Sequence, residues 1–96
     1  MTEQPAIEIT KNAQQHRYEI SLDGQRVGLA DYYERGETIV LPHTETAATF
    51  RGQGLAGKLI RFALDDIRAA GNTVNPACSF VADFIRLNPE YLDLVV

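Results

Sequence analysis

The sequence predicts a mixed α+β fold, an α/β sandwich with the element order β-β-β-β-α-β-α. Three observations predict it. The first half alternates apolar and polar residues between turn signals, the period of half-buried strands. From about Leu55 to Ala70 the period becomes that of a helix with one apolar face. Beyond that helix, Thr73-Val74-Asn75 reads as one more short strand, stopped by Pro76. A strand entered through a crossover helix lies parallel to the strand before it, so an antiparallel meander should gain a parallel fifth strand.

The elements follow in order. Residues 1–5 are expected to form a frayed tail. Ile7-Glu8-Ile9-Thr10 alternates and predicts a first strand, and the polar stretch Asn12–His16 a connection. Tyr18, Ile20 and Leu22 mark a second strand. Asp23-Gly24 is a two-residue hairpin signal that hands over to a third strand from about Arg26 to Tyr33, with Gly28, Ala30 and Tyr32 on one face. Arg35-Gly36 offers another turn. A fourth strand runs from Thr38 to about Glu45, where Pro42, which cannot donate to a ladder, predicts a bulge or an unpaired stretch. On the helix, Ala56, Leu59, Ile60, Ala63, Ile67 and Ala70 share one arc, with Lys58, Arg61, Asp65 and Arg68 opposite. Gly71 is placed to terminate it. Ser79 is expected to cap a second helix to about Leu87, with Phe80, Phe84 and Leu87 buried. Asn88-Pro89 ends that helix, and Tyr91–Leu94 adds a final turn.

With 96 residues and 45% hydrophobic content, the chain fits one domain, expected to span 1–96. No apolar run approaches the roughly 20 residues needed to span a bilayer. The first residues have neither the basic nor the apolar region of a signal peptide. Cys78 is the single cysteine, so no internal disulfide forms, and a cytoplasmic setting is expected. A net charge of −4 without a Lys/Arg cluster speaks against a nucleic-acid partner. Yet between Thr46 and Leu64 there are three cations (Arg51, Lys58 and Arg61) and no acid, which suits a small anionic ligand.

That patch surrounds the segment with the clearest chemistry, Arg51-Gly52-Gln53-Gly54-Leu55-Ala56-Gly57-Lys58. Glycines let successive amides turn inward, and a helix start adds unpaired N–H groups and a positive dipole end, so an anion is held without any side chain. Gly52-x-Gly54-x-x-Gly57 matches the dinucleotide fingerprint, but no acid stands about 20 residues on and no βαβ unit precedes it. Gly52-x-x-x-x-Gly57-Lys58 matches most of a P-loop, but Leu59 stands where the magnesium-binding Ser or Thr belongs. The glycines can also simply form a tight strand-to-helix turn.

Arg51-x-x-Gly54-x-Ala56 resembles the Q/R-x-x-G-x-G/A motif of the Gcn5-related N-acetyltransferases. With His43-Thr44-Glu45, Cys78-Ser79-Phe80-Val81-Ala82 and Asn88-Pro89-Glu90-Tyr91, most of the chain after Arg17 is similar to the short YjdJ-type proteins of that superfamily. The resemblance implies acetyl-coenzyme A as the donor, with coenzyme A as product, and an amine of unknown identity, small molecule or protein tail, as acceptor. It implies that the amides from Gly52 through Gln53, Gly54, Leu55 and Ala56 to Gly57 face the pyrophosphate. Arg51 and Lys58 would reach phosphate oxygens, and the Thr44-Glu45-Thr46 edge would pair with the pantetheine arm. Ordinary members keep a tyrosine after the fifth strand to protonate the leaving thiolate. Here Phe84 and Ile85 stand there, so the role is unfilled or moves elsewhere, with Tyr91 as one choice. The helical segment that shapes the acceptor site in the family is reduced to Asn12–His16, which implies an open acceptor pocket.

Cys78, just ahead of a predicted helix, is a candidate nucleophile because a helix N-terminus favours the thiolate; a small buried hydrophobe is the other reading. His43 is a candidate base, with Glu45 second, and a packed or hydrogen-bonded histidine is the alternative. His16 carries no signal, and no spacing suggests a metal site. A non-catalytic coenzyme A-binding module, or a protein-interaction domain on the same fold, are the competing functions.

Overall fold

The computed structural model describes residues 6–48, 52 and 54–96. The expected tail at 1–5 lies outside them. The chain forms β1 (Ile7–Asn12), β2 (Arg17–Leu22), β3 (Gln25–Arg35), β4 (Thr38–Thr46), α1 (Leu55–Ala69), β5 (Thr73–Asn75), α2 (Ser79–Leu87) and a 3-10 segment (Pro89–Leu94). The five strands make one sheet in the order β1-β2-β3-β4-β5, antiparallel except for β5, which runs parallel to β4. The α+β class and the parallel fifth strand are therefore as the sequence predicts.

Local chemistry sets these elements. Asp23 and Gly24 both have positive φ, 49° and 84°, so the β2–β3 turn twists with its strands. In β4, Leu41 and Pro42 together face Tyr32, because the register passes from Asp31↔His43 to Tyr33↔Val40. This is a bulge at the proline, where a missing donor costs least. Gly71, at φ 77°, ends α1: its N–H bonds the Arg68 carbonyl and that of Asn72 bonds Ile67, a Schellman closure.

The core lies between one face of the sheet and the helices. Tyr18, Ile20, Ala30, Ile39 and Leu41 from the strands meet Leu59, Ile60, Ala63, Leu64 and Ile67 of α1. Two helical faces differ from the sequence prediction. In α1, Leu55 and Leu64 are buried, whereas Ala70 is exposed and Ala56 half-buried. A 15-residue helix lying across several strands buries a wider stripe than the arc drawn from the sequence. In α2, Val81 and Ile85 are the buried residues, while Phe80 and Leu87 are exposed at 40% and 69%. The cause is the helix start. Cys78, not Ser79, is the N-cap residue. Its N–H bonds the Leu41 carbonyl at 2.9 Å, which fixes the rotation of α2 so that Val81 turns inward.

Candidate functional site

β5 accompanies only Thr38–Val40 of β4. Past Asn75 the chain turns at Pro76 and leaves the sheet for α2, so the later half of β4 loses its neighbour on that side. The resulting cleft has a volume of about 890 Å³. One wall is the β4 edge, His43–Thr46, continuing to Ala47; the other is the start of α1 with Gly52 and Gly54, and Phe80 stands over it from α2.

The two faces of β4 contribute different chemistry. His43 and Glu45 share one face, with His43 Nε2 and Glu45 Oε1 3.1 Å apart. Thr44 and Thr46 point the other way, where the cross-strand partner of Thr44 is buried Ala30. There the Thr44 hydroxyl meets the Cys78 sulfur at 3.2 Å. The Ala47 N–H bonds the Val27 carbonyl, so by alternation the backbone groups of Thr44 and Thr46 face the cleft side.

Gly54 is the N-cap with φ 75°; among the described residues no side chain caps the amides, and the first turn of the helix holds no acid. The first helical bond is Lys58 N–H to the Gly54 carbonyl at 3.2 Å, which leaves the amides of Leu55, Ala56 and Gly57 ahead of the ladder. Gly52 also has positive φ, 83°. Lys58 is exposed and has no ion pair among the described residues. Arg51 and Gln53 lie outside the described residues.

Arg61 is engaged away from the helix start. Its guanidinium bonds Asn88 at 2.9 Å and the Tyr91 hydroxyl at 3.2 Å, and it contacts Glu90. Tyr91 in turn donates to Asp65 at 2.7 Å; burial first, and then that bond, hold its phenol pKa above the ordinary value. Tyr91 is therefore tied into the contact between α1 and the 3-10 segment, and is not among the residues lining the cleft.

Cys78 is half-buried and sits beside the cleft behind Thr44. No side-chain bond of capping geometry is made. Burial raises its thiol pKa, but the Thr44 hydroxyl and the amide dipoles of Val81, Phe80 and Thr44 favour the thiolate by more, so the net direction is down. Thr44→Val removes the hydroxyl donor and keeps the shape. The pH dependence of Cys78 alkylation should then move to higher pH, and Thr44→Ser should restore it. An unchanged profile would mean that the hydroxyl does not act on the sulfur.

Of the candidates read from the sequence, His43, Thr44, Glu45, Thr46, Gly52, Gly54, Leu55, Ala56 and Gly57 thus line one cleft. Two lining residues were not anticipated. Ala47 simply extends the strand end. Phe80 is legible only through the spacing of Val81 and Ile85, which offers a second apolar arc for α2.

Comparisons with known proteins identify the family of the chain. A family model for GCN5-related N-acetyl-transferases matches residues 17–94. Protein NATD1 from Xenopus tropicalis is 26% identical over 92 residues, covering 92% of this chain and 84% of that protein. Protein NATD1 from Mus musculus is 26% identical over 91 residues, covering 91% and 83%. Among solved structures, the ribosomal-protein-S18-alanine N-acetyltransferase from Escherichia coli superposes with a TM-score of 0.58 at 15% identity. That superposition covers 60% of this chain and 38% of the enzyme, and shows a shared fold. With the family match spanning all elements from β2 to the 3-10 segment, the chain belongs to the GCN5-related N-acetyltransferase family.

Proposed function

We propose that the protein transfers an acetyl group from acetyl-coenzyme A to an amine, as a small YjdJ-type acetyltransferase whose one domain spans the chain and which acts in the cytoplasm. The observation that carries this reading is the pairing of two features in one cleft. A helix start with positive-φ glycines and no capping side chain among the described residues stands on one side, and a β4 edge with His43, Glu45 and nearby Cys78 on the other.

The pyrophosphate would rest on the amides of Leu55, Ala56 and Gly57, with Gly52 and Gly54 letting the backbone approach it. Lys58 of α1, and Arg51 just before Gly52 in the sequence, would add charge. The pantetheine arm would lie along the Thr44–Thr46 edge. This directs the thioester toward Thr44 and Cys78.

The acceptor must arrive as a neutral amine. With Nε2–H donated to Glu45, His43 keeps Nδ1 as the base that takes the ammonium proton, and Glu45 holds the ring and balances the imidazolium. Cys78 supports a covalent route. Its thiolate attacks the thioester carbonyl, the Cys78 S–C bond forms as the coenzyme A S–C bond breaks, and coenzyme A leaves as a thiolate that takes a proton from solvent. The amine then attacks S-acetyl-Cys78 and releases the cysteine.

A non-catalytic coenzyme A-binding module is the second reading. It is favoured by Tyr91 being tied to Asp65 and Arg61, and by Cys78 lying behind Thr44 rather than on the cleft wall. The test is release of free coenzyme A thiol from acetyl-coenzyme A across a panel of amines, including lysine peptides. Amine-dependent release supports the enzyme. Binding without release from any amine supports the module. Release that falls about a hundredfold or more in Cys78→Ala supports the covalent route. Full release by that variant leaves direct attack with His43 as base.

A further inference from the structure

We infer that Phe80 and Thr44 close the inner end of the cleft and restrict the donor to thioesters of short acyl groups. This rests on the reading above that the cleft holds an acyl-coenzyme A.

The cleft is lined by Gly52, Gly54 and the α1 start on one side and by the β4 edge from Ala47 back to His43 on the other, beside the point where β4 and β5 separate. Contacts between β4 and the α2 start lace this inner end: the Cys78 N–H to the Leu41 carbonyl at 2.9 Å, and the Thr44 hydroxyl against the Cys78 sulfur at 3.2 Å. Neither Leu41 nor Cys78 lines the cavity, whereas Thr44 does. The space therefore stops at this clasp. A chain laid along β4 with its phosphates at the helix start runs out of room there.

Phe80 forms the facing wall. It lies two residues after Cys78 on a helix whose start is pinned to β4, so its position is set by the same clasp. The core does not use its ring: Val81 and Ile85 are the buried positions of α2, and Phe80 is 40% exposed over the cavity. Farther along α2, Phe84 reaches the α1 start, with its ring 3.6 Å from where a Cβ on Gly57 would stand, so α2 is packed against α1 next to Phe80. A side chain that a helix places over a cavity without core contacts is a wall of that cavity. One methylene too many against such an apolar wall costs about ten- to two-hundredfold in binding or rate.

The experiment is a calorimetric titration of the full chain with coenzyme A and with its acetyl, propionyl, butyryl and hexanoyl thioesters, repeated for Phe80→Ala. Thermal unfolding confirms that the variant is folded, as expected for a half-exposed position. The wild type should bind coenzyme A and acetyl-coenzyme A, and should lose at least about tenfold by the hexanoyl thioester. Phe80→Ala should recover most of that loss. Hexanoyl-coenzyme A binding the wild type as tightly as acetyl-coenzyme A would overturn the length limit while leaving the donor site standing. Discrimination that survives in Phe80→Ala would remove Phe80 from the wall and overturn the assignment. Failure of coenzyme A and of every thioester to bind would overturn the reading of the cleft, and this inference with it.

Discussion

Gly54→Val is expected to weaken acetyl-coenzyme A binding by about a hundredfold, because it affects the helix start in two ways. Gly54 is the N-cap of α1 at φ 75°, a backbone region that a β-branched residue adopts only under strain. Relaxing that strain turns the first amides of α1 away from the anion seat. The added side chain also stands on the cleft wall, where Gly54 now lets the backbone approach a ligand. Gly36→Val is the control. Gly36 has φ 63° in the β3–β4 turn and does not line the cleft, so it carries a similar backbone cost. Both variants should lose comparable thermal stability, but only Gly54→Val should lose the ligand. Equal affinity in the two variants would mean that the glycine loop is a turn and nothing more.

Leu64→Ala is expected to destabilise the fold by about 2–5 kcal/mol, read from urea or thermal unfolding. Leu64 is fully buried on the face of α1 that meets the sheet. In a domain of this size each kcal/mol lowers the midpoint by about 4–8 °C, so the variant should be close to unfolding at physiological temperature. Ala70→Ser, on the exposed end of the same helix, should stay within about 0.5 kcal/mol of the parent. The pair separates the observed buried stripe from the narrower arc that the apolar spacing suggests, in which Ala70 is inside and Leu64 is not.

Much of the fold is legible because it is local. Strand alternation, the Asp23-Gly24 turn, the bulge at Pro42 and the stop at Gly71 each depend on residues within a few positions of one another. The orientation of α2 is not local. In a helix of nine residues, Phe80 with Phe84 and Val81 with Ile85 are rival apolar arcs, and the bond from Cys78 to Leu41, far back in the sequence, selects between them. The placement of Arg61 is not local either. Arg61 is near Lys58 in sequence, but Asn88, Glu90 and Tyr91 draw it toward the 3-10 segment.

The cleft follows the same division. Its glycine loop and its His43-Thr44-Glu45 strand end are each recognisable as short motifs. Their convergence depends on β5 pairing with Thr38–Val40 alone while β4 runs on to Thr46, a register that only the assembled sheet displays. The contact between Thr44 and Cys78 spans 34 positions and joins two candidates that the sequence offers separately.

The most direct test of the central claim is a calorimetric titration of the purified protein with acetyl-coenzyme A, with ATP and NAD as controls. The account predicts one saturable site for acetyl-coenzyme A, with neither control competing. A folded protein that ignores acetyl-coenzyme A, or that binds ATP or NAD equally well, would contradict it.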